Sequence, residues 1–155
     1  MADNYTTLCS AISAALLADP VLKVYLTVAP VQVWDPDYLP SFGSYGMVVE
    51  PTGLSPTRKY VGAIQEQASV TLHLLVKAFP DRAAALTGQT AAAPGAILFA
   101  RHVFNCLHRN PLTGAPFDPV AGEEVMNPVR WELIKNRFYW HGTLTFRAWL
   151  PVVPD

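Results

Sequence analysis

The closing stretch of the chain constrains its fold more than any other. Phe138, Trp140, Gly142, Leu144, Phe146, Ala148 and Leu150 alternate with Tyr139, His141, Thr143, Thr145 and Arg147. Successive side chains of a strand point to opposite faces, so period two over more than ten residues predicts a long strand with one buried face. Val129, Trp131 and Leu133 alternate with Arg130 and Glu132 just upstream. A turn near Lys135–Arg137 then completes a C-terminal β-hairpin.

A second strand follows from ASVTLHLLVKAF. Ala68, Val70, Leu72, Leu74, Val76 and Ala78 share one face, and Ser69, Thr71, His73, Leu75 and Lys77 the other. Two shorter strands are expected at Val31–Trp34 and Met47–Val49, each stopped by proline. TGLSPTRKYVG, after the second, reads as an exposed loop. Two helices frame these strands. Tyr5, Leu8, Ile12, Ala15 and Leu16 recur at helical steps behind an Asp3 or Asn4 cap, and Asp19-Pro20 signals a further turn or two over Val21–Leu26. After an alanine-rich connection from Pro80 to Gly95, Ile97, Ala100, Val103, Phe104 and Leu107 form a stripe opposed by Arg101, His102, Asn105, His108 and Arg109. Residues Asn110–Glu124, with three prolines and two glycines, read as a long surface loop. Strands that follow one another without helices between them favour an antiparallel or mixed sheet. The expected fold is α+β: a single mixed or antiparallel sheet, two main helices packed on it, and the hairpin, all in one domain over residues 1–155.

Composition bears on function. Apolar residues make up 51% of the 155 and charged residues only 15%, more apolar material than one core of this size requires. Part of that surplus is expected on surfaces that other proteins cover. The net charge of −1 calls for no nucleic-acid partner. Up to Thr57, Asp3, Asp19, Asp35, Asp37 and Glu50 face Lys23 alone; from Met126 onward Arg130, Lys135, Arg137 and Arg147 outnumber Glu132 and Asp155. Unlike ends suit head-to-tail self-association, although scattered solvated charge is the plainer reading. No apolar run approaches the ~20 residues that a membrane span needs, and the N-terminus lacks the pattern of a signal peptide, so an intracellular origin is expected.

No catalytic constellation emerges. Gly43-Ser44-Tyr45-Gly46 has the wrong spacing for a nucleophile elbow, and neither phosphate-binding glycine pattern occurs. His102 and Cys106 are four apart on a helix, but no paired motif supplies further ligands, so His102 reads as solvent-facing and Cys106, like Cys9, as a buried thiol. His73 and His141 read as sheet-surface residues. The acidic pairs Glu123-Glu124 and Asp35/Asp37 lie beside prolines and read as solvated loop charge. No metal or cofactor is expected. The aromatic hairpin could stack single-stranded nucleic acid, but Trp131, Trp140, Phe138 and Phe146 fall on the core face, leaving Tyr139 and Trp149 with His141 and Arg147 on the other. Core plus subunit interface is the better reading, with Arg130, Arg137, Arg147, Tyr139, Trp149, Asp35 and Asp37 as candidate interface residues.

The order ALLADPVLKVYL, VQVWDPDYLPSFGSYGMVVEP, a loop, ASVTLHLLVKAF, a helix ending in LHRN and a terminal hairpin resembles the tail-terminator (tail-completion) proteins of long-tailed bacteriophages. The likeness spans roughly residues 8–150 and rests on pattern and order. The Asn110–Glu124 loop is longer than that family's, and SFGSYG replaces its short Pro-aromatic entry; these departures leave a related neck or connector protein as the alternative. The resemblance implies a homo-oligomeric ring of six subunits capping the tail tube, with the tube protein and the head–tail connector as partners, DNA passing through, and a place in the virion. The competing expectation is a small ligand-binding or enzymatic α+β domain with a loop-built pocket.

Overall fold

A computed structural model describes residues 3–27, 30, 35, 42–77, 81–108, 112, 118–119, 125–126, 129–134 and 137–154, with the side chains of 55–60, 118–119 and 125–126 excepted. In chain order the elements are helix α1 (Asn4–Ala18), a 3₁₀ turn (Leu22–Val24), strands β1 (Tyr45–Tyr60) and β2 (Ala63–Lys77), and the short helix α2 (Arg82–Thr87). Strands β3 (Gln89–Thr90) and β4 (Ala93–Pro94) and helix α3 (Ala96–Leu107) follow. Strands β5 (Asp118–Pro119), β6 (Val125–Met126), β7 (Arg130–Ile134), β8 (Arg137–Trp149) and β9 (Val153–Pro154) complete the chain.

The fold is α+β. Every pairing in the main sheet is antiparallel. Its order is β1-β2-β8, with β5, β6 and β7 lined up along the far side of β8 and β9 added beside the start of β2. The expected hairpin is β7–β8, with Trp131 opposite Trp140 and Leu133 opposite Phe138. β3 and β4 form a separate two-stranded ribbon inside the alanine-rich connection.

Register explains the core. Val49, Leu72 and Leu144 lie side by side across three strands, as do Met47, Leu74 and Gly142, and Pro51, Val70 and Phe146. This is the period-two face, and α1 and α3 cover it with Leu8, Ile12 and Leu16, and with Phe99, Val103 and Leu107. Burying each such side chain contributes about 1.5–3 kcal/mol. The capping signals hold: Asp3 accepts from the Thr6 amide at 3.0 Å, and Asp19 accepts from the amides of Val21 and Leu22.

Three expectations are corrected. The stretch TGLSPTRKYVG is no loop. β1 runs through it to Tyr60, and the chain reverses over Val61 and Gly62, where φ of +74° suits a residue without Cβ. Pro51 and Pro56 are accommodated because β1 is an edge strand among the described residues and its register shifts at both. The buried stripe of α3 is rotated: Ala96 and Phe99 are buried, while Ile97 is exposed. Finally, Leu133 and Phe138 lie on the core face but beyond the helices, at 60% and 50% exposure. The strand expected at Val31–Trp34 and the Asn110–Glu124 loop lie outside the described residues, apart from Leu112 and the short strand β5.

Candidate functional site: the open sheet face and the outer edge

The sheet's second face carries no helix among the described residues. Parity puts Glu50, Ser69, Thr71, His73, Leu75, Lys77, Arg130, Glu132, Tyr139, His141, Arg147 and Trp149 on it. At one end Leu75, Ile134 and Tyr139 form a small buried cluster with Phe42 packed on it. Phe42 reaches it by lying against Gly46, where a Cβ would come within 2.7 Å of the ring. Lys77 closes this end, donating to the Phe42 carbonyl at 2.8 Å.

Beside that cluster a polar chain crosses four strands. His73 Nε2 lies 3.2 Å from Glu50 Oε1, His73 Nδ1 lies 2.9 Å from His141 Nε2, and His141 Nδ1 lies 2.8 Å from Glu132 Oε2. The two rings stack at 5.2 Å between centroids. His73 is buried, at 6% exposure, and burial pushes its imidazole below the ordinary value despite the Glu50 carboxylate. Sequence reading put both histidines on this face but missed the chain, because Glu50 and Glu132 join it only through the cross-strand register.

The predicted interface residues fare unequally. Arg130 and Arg137 are exposed, Arg147 and Trp149 are half-buried, and so is Asp35. Tyr139 is buried in the small cluster rather than presented to solvent. Asp37 lies outside the described residues. The acidic end is also less of a patch than its composition suggests. Asp3 and Asp19 cap helical turns and Glu50 binds His73.

His102 is corrected as well. It is half-buried and shares a 2.7 Å hydrogen bond with Tyr25, so it serves packing between α3 and the end of the 3₁₀ turn. Cys106 is half-buried, whereas Cys9 is fully buried. Among the described residues no group of three or more His, Cys, Asp or Glu side chains is disposed to hold a metal ion, and no helix is long and apolar enough to cross a membrane.

Two other features present surface to a partner. Strand β1 is sixteen residues long, and nothing among the described residues pairs with its outer side. With β2 it forms a ribbon whose tip, Val61, is fully exposed. At the opposite end of the sheet Phe138 stacks on Trp131 at 5.4 Å with an interplanar angle of 2°. The Arg82 guanidinium lies 4.7 Å from the Trp131 ring centre, and Trp140 donates its indole N–H to the Arg82 carbonyl at 2.9 Å. Leu133 and Phe138 thus extend the core face into solvent as an apolar ledge. No protein-family model matches this chain, and no curated protein sequence matches it.

Proposed function

We propose that this protein is a structural subunit of a phage virion. In this reading it assembles into a homo-oligomeric ring, a hexamer, that caps the tail tube and joins it to the head connector. The observation that carries the reading is the outer edge of β1. A sixteen-residue strand whose outer side pairs with nothing among the described residues presents backbone donors and acceptors that a neighbouring chain can pair. The register shifts at Pro51 and Pro56 divide that edge into short segments, which limits indiscriminate pairing and leaves defined places for a partner. A ring also needs two different patches, one on each side of the subunit. The ribbon with Val61 at its tip and the ledge of Leu133 and Phe138 are two such patches at opposite ends of the sheet. The order of elements that resembles tail-terminator proteins supports the specific assignment. The role is binding, with no bond made or broken.

Negative-stain class averages of the purified protein test this directly. The reading expects annular particles with a central opening wide enough for duplex DNA. Uniform compact particles of one subunit's size at every concentration tried would refute it.

A further inference from the structure

The geometry of the Glu50–His73–His141–Glu132 chain fixes how many protons it holds. Each of its three contacts requires one hydrogen between two heavy atoms. Ionised carboxylates bring none, so all three sit on the four ring nitrogens. Two neutral imidazoles supply only two. We infer that these four residues form a proton-counted clasp, closed only while the two histidines carry one positive charge between them.

The more deeply buried ring, His73, takes the neutral form. It donates from Nε2 to Glu50 and accepts at Nδ1. His141 then carries both of its ring protons, one directed at His73 and one at Glu132. The clasp ties the edge strand β1 to the hairpin strand β7 through β2 and β8, so its state bears on the whole open face. Among the described side chains, the other charged or titratable groups on that face are Lys77 from β2, Arg137, Tyr139 and Arg147 from β8, and Arg130 from β7, directly opposite His141. They are cations or a neutral phenol, and what opposes a second imidazolium is the geometry of the central contact, where two N–H groups would face each other.

The sign of the pH dependence follows. In the unfolded chain both histidines titrate near ~6.5 and hold two protons in acid and none in base, whereas the clasp holds one throughout. Stability rises with pH wherever the unfolded state binds more protons, and falls where it binds fewer. The clasp's contribution therefore peaks near pH ~6.5 and declines on both sides. On the acid side a second proton at His73 Nδ1 would face the N–H of His141 and break the central contact. This agrees with the lowered titration of His73: it stays neutral in the fold below the pH at which the unfolded chain takes up its proton, so stability falls as pH drops through the unfolded value. On the alkaline side, loss of a proton leaves one of the three contacts without a hydrogen.

The test is urea denaturation of the parent and of a His73→Gln/His141→Gln variant at intervals from pH 5 to pH 8. Subtraction removes the background from His102, His108 and the carboxylates outside the clasp. The expected difference in folding equilibrium constant is bell-shaped, largest near pH ~6.5 and smaller at both limits. A flat or monotonic difference overturns the clasp. If the variant does not fold, nitrogen-15 spectra of the parent's histidine rings decide the matter. Two ring protons on one histidine and one on the other at pH 6.5 support the assignment, and one proton on each overturns it.

Discussion

Replacing Tyr5 with phenylalanine removes one oxygen atom from a side chain that joins helix α1 to strands β1 and β2. The phenol donates to the carbonyl of Ser69 in β2 and accepts from the amide of Gly53 in β1 at 2.8 Å. Gly53 stands at the register shift after Pro51, where β1 stops pairing residue for residue with β2. Tyr5 thus holds the irregular point at which β1 turns from the core into the exposed ribbon. Two hydrogen bonds at about 0.5–1.5 kcal/mol each would give about 1–3 kcal/mol. The Gly53 contact is exposed and water can replace it, which leaves about 1–2 kcal/mol, or a fall in melting temperature of about 2–8 °C for a domain of this size. The aromatic ring still packs, so no cavity adds to the loss. Chemical denaturation followed by circular dichroism measures this, and an unchanged slope against urea shows that the compactness of the states is preserved. A midpoint indistinguishable from the parent's would refute the claim that Tyr5 pins the base of the ribbon.

Other outcomes follow from the same structure. Leu144→Asp puts an unpaired carboxylate between Leu72 and the helices, at a cost of several kcal/mol comparable to the stability of the whole domain, and should abolish soluble folding; Thr143→Asp, on the open face beside His73, should fold, as circular dichroism will show. Burial pushes the Cys9 thiol up to about 11 and the Cys106 thiol up to about 12, so neither should react with a thiol reagent at pH 8 until the protein is unfolded. Reversing the exposed charges with Arg130→Glu and Arg137→Glu should weaken self-association most at low salt, read by light scattering across a salt series; an oligomer unchanged at every salt concentration would remove electrostatics from the interface.

How far the sequence discloses this structure depends on how each signal arises. The alternation through Leu144 and through Leu72 is intrinsic to single strands, so both strands and their buried faces could be read directly. Pro51 and Pro56 hid the ribbon, because proline argues against a strand only when both of its edges are paired, and among the described residues β1 is paired on one edge. The phase of α3 was ambiguous because its first turn, Ala96-Ile97-Leu98-Phe99, is apolar all round; contact with the sheet selects Phe99 over Ile97. Leu133 and Phe138 read as core because periodicity gives the face but not how far the helices extend over it. The Glu50–His73–His141–Glu132 chain was hidden for a related reason. Faces follow from parity, whereas diagonal neighbours on four strands require the register of every pair. Of the acids in the first third, Asp3 and Asp19 serve as caps and Glu50 as a histidine contact, roles that a charge count does not reveal.

The claim that the protein works by packing against copies of itself meets its most direct test in sedimentation equilibrium over a range of concentrations, for the parent and for Val61→Asp. The subunit mass is 17.0 kDa, so a hexamer weighs about 102 kDa. The account predicts a parent mass that converges on about 102 kDa, and a Val61→Asp protein of native circular dichroism shifted toward the subunit mass, since a carboxylate at the exposed ribbon tip disturbs association and not the fold. A parent that stays at 17.0 kDa at every concentration would contradict it.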